Sequence, residues 1–343
     1  MKTLQKVLLS SILILSLQFF LTSCQSTCSK CNEKHLIKFN GKALGTFYTV
    51  SYYDASEVNY QEGLDSLFSA FNHALSIYDS TSVISKVNRN EEVVLNAWFI
   101  EVFNLSKTIY ASTGGYFDPS VAPLVNAWGF GFTNADEMTV EKIDSILTFV
   151  GFDKADIIDN KVVKKDLRLK LDFNAIAKGY CADVGARYLE GKGISSYLIE
   201  IGGEICSKGT KPDGSFWKIG IEKPALDALD GQDILQVINI TDKALATSGN
   251  YRRYLEKDGK RISHTIDAKT GYPTENELLS VTVIANNCIT ADAYATAFMA
   301  MGLNKAFEFA ENNPSIEAFF IFNAEDNSLK TKHTKGFSSY LED

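Results

Sequence analysis

The chain has 343 residues, of which 45% are hydrophobic and 22% are charged, and its formal net charge is −8. This is enough apolar material for a folded core in one large or two ordinary domains, which excludes a disordered chain. The acidic balance, without a long run of lysine or arginine, argues against nucleic acid as the main partner.

The amino-terminal residues predict an export signal. Lys2 and Lys6 precede an apolar run over residues 7–21, which is too short to span a membrane comfortably as a permanent helix. The run ends in LTSC, which resembles a bacterial lipobox and makes Cys24 the expected lipidated first residue of the mature chain. An ordinary cleaved signal with an incidental cysteine is the alternative. A single diacylated cysteine anchors without spanning, so we expect a periplasm-facing protein of the bacterial cell envelope.

These observations divide the chain into a signal peptide (1–23), a polar tether (24–36) and one folded unit (37–343). The tether contains Cys28 and Cys31, followed by His35, but no second ligand pair, so a metal site there is disfavoured. The other cysteines are scattered and do not form a disulfide framework. We expect three of them to be small buried hydrophobes rather than nucleophiles: Cys181, Cys206 and Cys288.

The predicted elements then alternate irregularly along the chain. A strand is expected around FYTVSYYD, because Tyr48, Val50 and Tyr52 alternate with Phe47, Thr49 and Ser51. Apolar residues at three- and four-residue spacing predict helices over residues 57–78, 97–111 and 139–150.

The middle of the chain is rich in β-branched residues. Short runs separated by turns predict strands within YLIEIGGEICSKG, FWKIGIEKP, ILQVINI and the segment from 243 to 267, with a hairpin turn at Asp258 and Gly259. LLSVTVIA is followed by helices near 290–301 and 304–312 and by the strand IEAFFIF. Without regular βαβ alternation, the prediction is an α+β fold with mixed, largely antiparallel sheets packed with helices, as a single two-layered unit.

Common catalytic and nucleotide signatures are absent from the chain, including the P-loop, the dinucleotide-binding glycine pattern, HExxH and the GxSxG elbow. With four histidines in total, a histidine-rich zinc centre is disfavoured. A site for a hard metal and a phosphate is easier to build.

Two stretches offer such a site. LDFNAIAKGYCAD, residues 171–183, begins like a buried strand and continues as the first turns of a helix, a junction that can present backbone groups to a phosphate or a metal. In CITADAYATAFMAMG, Thr290 is expected to cap a helix and Asp292 to lie in its first turn, favoured by the helix dipole. Asp292 and Thr296 are four residues apart, so the carboxylate and the hydroxyl lie on the same face of the helix. Both are oxygen ligands of the kind that Mg²⁺ accepts. The alternative is an ordinary helix start without a metal.

Six motifs occur in order along the chain: GGYFDPSVAPLVNAWGFG, LDFNAIAKGYCAD, IGGEI, ATSGNYRRY, SHTIDAKTGYP and TADAYATAFMAMG. Together they resemble the FAD:protein FMN transferases of the ApbE type, over residues 43–302. The resemblance implies a magnesium-dependent enzyme whose substrate is FAD. It would transfer the FMN half to a Thr or Ser hydroxyl of an exported or membrane redox protein and release AMP.

The resemblance also implies residue roles. The metal ligands would be the Asp292 carboxylate, the Thr296 hydroxyl and the backbone carbonyl of Ala175. The catalytic residues would be His264, which accepts the proton of the acceptor hydroxyl, and Asp292. The implied FAD-contacting residues are Leu44, Tyr78, Tyr116, Phe117, Asp118, Asp172, Lys178, Gly202, Gly203, Thr247, Ser248, Gly249 and Ile266.

Two positions depart from the family pattern. Leu44 stands where methionine is usual, and Ala268 replaces the proline of the turn after His264. Neither change removes a polar group. Two alternative functions remain: an FAD pyrophosphatase in which water attacks, and a lipid-anchored protein that binds FAD without turnover.

Overall fold

The computed structural model describes residues 33–132, 137–224, 233–250, 254–257, 260–326 and 328–342. The predicted signal peptide, Cys24, Cys28, Cys31 and the turn at Asp258 and Gly259 lie outside these residues. No helix in the described ranges is long and apolar enough to cross a membrane.

Eight helices are described, in addition to two short 3-10 helices. They are α1 (Gln61–Leu75), α2 (Val83–Asn88), α3 (Ala97–Ser112), α4 (Ala122–Ala127), α5 (Val140–Leu147), α6 (Ala177–Gly191), α7 (Cys288–Met301) and α8 (Leu303–Glu311).

Fourteen strands are described. They are β1 (His35–Ala43), β2 (Thr46–Asp54), β3 (Ala155–Ile158), β4 (Lys161–Lys164), β5 (Tyr197–Ile201), β6 (Glu204–Lys208), β7 (Trp217–Glu222), β8 (Ile234–Ile240), β9 (Ala244–Gly249), β10 (Tyr254–Lys257), β11 (Lys260–Ser263), β12 (Leu278–Ala285), β13 (Ile316–Asn323) and β14 (Leu329–His333).

One eight-stranded sheet organises the fold. Its order is β1-β2-β5-β6-β9-β12-β13-β14, and all its neighbouring strands are antiparallel. Three two-stranded sheets accompany it, β3-β4, β7-β8 and β10-β11. The predicted α+β class with largely antiparallel sheets is confirmed. β10 and β11 pair on either side of the predicted hairpin turn.

Two layers cover the large sheet. On one face, α6 and α7 pack against each other and against β5, β6, β9 and β12, and α1 and α3 extend this helical layer. On the other face, β7 and β8 enclose a smaller apolar cluster with Ile284, Phe319 and Ile321. Central strands are therefore buried on both faces, which explains why β12 reads as an almost continuous apolar run.

The first hairpin confirms most of the predicted alternation. Tyr48, Val50 and Tyr52 are buried and Phe47 is 70% exposed, but Ser51, on the side predicted to be open, is buried as well. The segment forms two strands rather than one, because Leu44 and Gly45 make a two-residue turn with φ of 49° and 75°. Positive φ at both positions is the geometry that joins antiparallel strands tightly. It is uncommon for a residue as bulky as leucine.

Several predicted helix boundaries are wrong. The helix expected over residues 57–78 spans only Gln61–Leu75, since Ser76 already has extended backbone. Tyr78 therefore lies in the following loop. The helix expected over residues 139–150 ends at Leu147.

The start of α7 also differs from the prediction. The helix begins at Cys288, and the cap is Asn287, whose side chain accepts a hydrogen bond from the Thr290 N–H at 3.1 Å. Thr290 is thus inside the first turn, and Asp292 follows in the second. Because Asn287 satisfies the otherwise unpaired Thr290 N–H, the helix starts about half a turn earlier than predicted.

The junction at residues 171–176 is not a strand, because residues 171–173 join no sheet and residues 174–176 form a turn. Leu171 and Phe173 are buried, as the apolar pattern indicated. The Asp172 N–H, however, bonds to the Pro119 carbonyl at 2.7 Å instead of joining a ladder. The helix that follows, α6, begins at Ala177.

Candidate active site

A cavity of about 900 Å³ opens beside the helical layer. Its wall is formed by the β1–β2 turn, the loop after α1, the segments around residues 116–132 and 170–178, the end of β9, residues 264–268 and one face of α7. This volume lies at the upper end of the range for small-molecule sites.

Most of the predicted site residues meet in this wall. The wall includes Leu44, Tyr78, Tyr116, Phe117, Asp118, Asp172, Ala175, Lys178, Thr247, Ser248, Gly249, His264, Ile266, Asp292 and Thr296. They come from parts of the chain as far apart as residues 44 and 296, so the tertiary fold gathers them. Their individual roles remain predictions.

Gly202 and Gly203 are not in the wall. They form the two-residue turn between β5 and β6, with φ of 62° and 102°. This is turn chemistry that glycine supplies without strain. A Cβ on Gly202 would also lie 2.8 Å from Cγ2 of Thr46, so this position is crowded for any larger residue.

The loop before α6 is shaped by Asp172. Its Oδ1 accepts the Asn174 N–H at 2.7 Å, and the Asn174 amide reaches Asp172 Oδ2 at 3.3 Å and the Tyr78 hydroxyl at 3.4 Å. Burial raises the pKa of Asp172 to about 6. The aspartate therefore fixes the turn that carries Ala175 while facing the cavity.

The close approach of α6 and α7 places Asp292. The Gly179 N–H donates to Asp292 Oδ2 at 2.9 Å. A Cβ on Gly179 would lie 2.3 Å from the Cys288 carbonyl oxygen, so only glycine fits between the helices. Asp292 is 4% exposed, and burial raises the pKa of its carboxyl group. A cation near this carboxylate would offset the cost of burying it.

A second aspartate holds α7 in place. Asp183 of α6 accepts the N–H groups of Cys288 and Ile289, each at 2.8 Å. These amides belong to the first turn of α7, which has no intrahelical partners for them. Sequence reasoning missed this residue, because nothing in the chain between residues 183 and 288 indicates that the two helices meet.

Lys178 and Glu204 form an ion pair in the cavity wall. Lys178 Nζ lies 2.6 Å from Glu204 Oε1. Glu204 is 2% exposed, and burial, reinforced by the charge of Asp292, raises the pKa of its carboxyl group, whereas the Lys178 ammonium opposes this rise by stabilising the carboxylate. The sequence analysis did not assign Glu204. The only signal was an ionisable residue at the start of the buried strand EICSK, directly after the glycine turn.

Thr296 lies one turn after Asp292 on α7. Its hydroxyl is 3.4 Å from the Ser248 hydroxyl on β9. This contact links two of the predicted ligand-binding segments. Among the described residues, no group of three His, Cys, Asp or Glu side chains is placed to hold a metal ion. A cation here would therefore need hydroxyl, carbonyl, water or phosphate oxygens in addition to carboxylate.

His264 directly follows β11 and lines the cavity. Its ring contacts Phe130 edge-on, with 6.5 Å between centroids. Two residues later, Ile266 pairs with Pro273 in an isolated bridge, and Asp267 closes the turn by accepting the Lys269 N–H at 2.8 Å. The turn is thus formed without the usual proline.

Exposed aromatic rings stand at the cavity mouth. Tyr78 and Phe132 are 67% and 61% exposed, and their ring centroids are 5.2 Å apart. Phe132 was not identified from the sequence. Across the cavity, the Tyr116 hydroxyl accepts a hydrogen bond from Lys305 at 2.8 Å, and Lys269 lies 4.6 Å from the ring centroid. Flat apolar surfaces of this kind suit a heterocycle.

The remaining predicted residues are mainly structural in their contacts. Phe117 is 1% exposed and belongs to the core. Asp118 Oδ1 accepts both the N–H and the hydroxyl of Ser120, at 2.7 and 2.6 Å. Burial raises the pKa of Asp118 to about 6.

The three described cysteines are free and buried, as predicted. Burial raises the pKa of Cys181 and Cys288 far above the usual value and raises that of Cys206 as well. A thiol that remains protonated is a poor nucleophile. No reactive role for these residues follows.

This arrangement defines a class of protein: an α+β fold in which buried carboxylates, a lysine and exposed rings surround space for a nucleotide-sized ligand. The chain belongs to the ApbE family, whose model matches residues 44–320. It is 34% identical to the FAD:protein FMN transferase of Haemophilus influenzae, over 98% of this chain and 99% of the relative. It is 35% identical to that of Vibrio cholerae, over 92% and 95%.

Solved structures agree with this assignment. The flavin transferase ApbE from Vibrio cholerae superimposes with a TM-score of 0.80 at 34% identity, covering 90% of this chain and 100% of that one. The apo flavinyl transferase ApbE from Pseudomonas stutzeri also gives 0.80, at 33% identity over 89% and 96%.

Proposed function

We propose that the protein transfers the FMN half of FAD to a Thr or Ser hydroxyl of a target protein and releases AMP. The observation that carries this proposal is that Lys178, His264, Asp292 and Thr296 line the same cavity in a chain of the ApbE family. The names of the relatives support the same chemistry.

The reaction is a phosphoryl transfer. The acceptor oxygen forms a bond to the FMN phosphorus, the bond from that phosphorus to the bridging oxygen breaks, and AMP leaves with the bridging oxygen. The acceptor hydroxyl loses its proton, for which the His264 imidazole is the proposed base. Because charge spreads over phosphate oxygens, the enzyme mainly positions the reactants and neutralises charge.

Lys178 is one of the cationic side chains in the described cavity wall, together with Arg89 and Lys170, and it can face this charge. It is held at the start of α6, in the wall of the cavity, by Glu204. An ammonium there draws in the pyrophosphate electrostatically. Tyr78 and Phe132 at the mouth offer ring surfaces to the isoalloxazine or the adenine.

We further propose that Mg²⁺ assists, held by the Asp292 carboxylate, the Thr296 hydroxyl and the Ala175 carbonyl. The donor chemistry fits, because all three residues line one cavity and Mg²⁺ prefers oxygen ligands and retains waters. The buried Asp292 carboxylate also lacks a full positive counterpart, since Lys178 pairs with Glu204. When bound, the cation would neutralise charge on the phosphates.

Transfer is tested with the purified protein, FAD, MgCl₂ and an exported redox protein with a candidate acceptor threonine. We expect flavin fluorescence on the acceptor band in a denaturing gel and one AMP released per flavin attached. The acceptor with that threonine changed to alanine is the matched control. FMN and AMP appearing without a labelled acceptor would instead identify a pyrophosphatase, and tight FAD binding without AMP would identify a binding protein.

The acceptor is proposed to be an exported or membrane redox protein, and the transferase to be anchored through lipid on Cys24. Support comes from the apolar run and LTSC at the start of the sequence. Fractionation of cells that express the chain tests the anchor. The wild type should sediment with membranes and Cys24→Ala should not, whereas equal distribution would refute lipid attachment.

A further inference from the structure

Glu204 is an unusual residue for the place it occupies. It is 2% exposed, and although Oε1 accepts a hydrogen bond from Lys178, Oε2 is buried without any hydrogen-bond partner among the described residues. A buried carboxylate oxygen without a partner is costly, and native proteins rarely retain one without a reason.

Stability does not supply that reason. The next residues of β6, Ile205 and Cys206, are buried and apolar, so the strand itself does not require a charged side chain. Replacing a buried ion pair by apolar groups of similar volume is often neutral or stabilising. The position of Glu204 instead points to its partner, Lys178.

Lys178 is surrounded by groups from two other elements. Glu204 of β6 faces its ammonium directly, and Asp292 and Cys288 of α7 lie further away. Burial alone would lower the pKa of Lys178, but the carboxylates of Glu204 and Asp292 outweigh this effect and raise it.

We propose that Glu204 is a positioning residue for FAD cleavage: its ion pair with Lys178 holds the ammonium aimed at the place where the pyrophosphate binds. This inference rests on the proposed function. Glu204 itself needs no contact with FAD. It acts by limiting the rotamers of a long side chain, which would otherwise lose entropy each time substrate binds.

The test compares Glu204→Gln with the wild type. The amide preserves shape and removes the charge. We expect kcat for AMP release to fall about tenfold or more, because Lys178 is no longer preorganised. The FAD dissociation constant, measured by flavin fluorescence, should be unchanged or smaller, because a negative charge near the pyrophosphate is gone. The alkaline limb of the activity profile should move to lower pH, since Lys178 loses its main charge partner.

Glu190→Gln is the matched control. Glu190 lies on the same helix as Lys178, and its carboxylate is also 2.6 Å from a lysine, Lys208, but it faces a different cavity. This variant should leave kcat, FAD affinity and the pH profile unchanged. In Glu204→Asp, which retains the charge, the alkaline limb of the activity profile should return at least in part to its wild-type pH. This variant also tests the proposal if the glutamine variant folds poorly.

A glutamine variant with wild-type kcat and pH profile would overturn the proposal. Equal loss of FAD affinity in the glutamine and aspartate variants would also overturn it, because it would show a purely structural role. If the wild type releases no AMP, the proposed function fails separately. The pH dependence of FAD affinity then still tests the ion pair. As pH rises, affinity should begin to fall at a lower pH in Glu204→Gln than in the wild type.

Discussion

Gly179 provides a direct test of how the helical layer positions the site. Its ideal Cβ would lie 2.3 Å from the Cys288 carbonyl oxygen and 2.7 Å from Asp292 Cβ. The first distance is 3.4 − 2.3 = 1.1 Å shorter than the start of ordinary contact. Because the obstructing atom belongs to the backbone of α7, it cannot rotate away, and the helices must separate in Gly179→Ala.

Two effects of the substitution oppose each other. Helix propensity favours alanine over glycine by about 1 kcal/mol in a helix interior. Overpacking a tight interface costs about 1–3 kcal/mol, occasionally more, and here the overlap is with backbone. We therefore expect a net loss of about 1–2 kcal/mol in the free energy of unfolding, or roughly 2–4 °C in Tm for a chain of this size.

Activity should fall further than stability. Separation of the helices stretches the hydrogen bond from the Gly179 N–H to Asp292 and displaces that carboxylate from its place in the wall. The assay is thermal unfolding together with AMP release from FAD at a temperature well below Tm. A misplacement of about 1 Å can lower the rate about 100-fold.

Gly191→Ala is the control. Gly191 is the last residue of the same helix, and no atom lies within 4 Å of its ideal Cβ. The Gly191→Ala variant should unfold at or slightly above the wild-type Tm and retain full activity. If Gly179→Ala behaves like Gly191→Ala in both measurements, the close contact between α6 and α7 does not position Asp292.

Three further predictions concern single side chains in the wall. Asp292→Asn should lower AMP release more than about 100-fold at saturating FAD, because charge stabilisation of the transition state is lost, and a change of less than twofold would contradict its role. Leu44→Gly should relieve the positive φ of 49° and leave Tm unchanged or higher, while FAD binds several-fold more weakly; unaltered FAD affinity would remove Leu44 from the binding surface. Asp118 holds its proton up to about pH 6 in the folded protein, against a usual value of 3.8. Between these values the native state binds more protons than the unfolded state, so its contribution to stability falls as pH rises through that window. In Asp118→Asn, which keeps an acceptor for Ser120, the change in the free energy of urea unfolding between pH 4 and 6 should be smaller than in the wild type by roughly 2 kcal/mol, and parallel pH curves would argue against this ionisation.

Local patterns predicted the strands and helices whose apolar residues recur with a regular spacing. The alternation of Tyr48, Val50 and Tyr52 placed β2, and helical spacing located α1 and α3, because periodicity reflects which face an element buries. Boundaries were less accurate where a cap decides them. Asn287 rather than Thr290 caps α7, since both are good capping residues and only the packed chain selects one.

The sequence by itself determined the α+β class, the ordered motifs of the family and most residues of the candidate site. Those properties are encoded locally, in residue types and their order. Only the tertiary structure decided that Gly179 fits against Cys288, that Asp183 caps α7, and that Glu204 supports Lys178. Each of these contacts joins residues 26 or more positions apart, and such contacts form when the packed core brings distant segments together, so no local pattern can specify them.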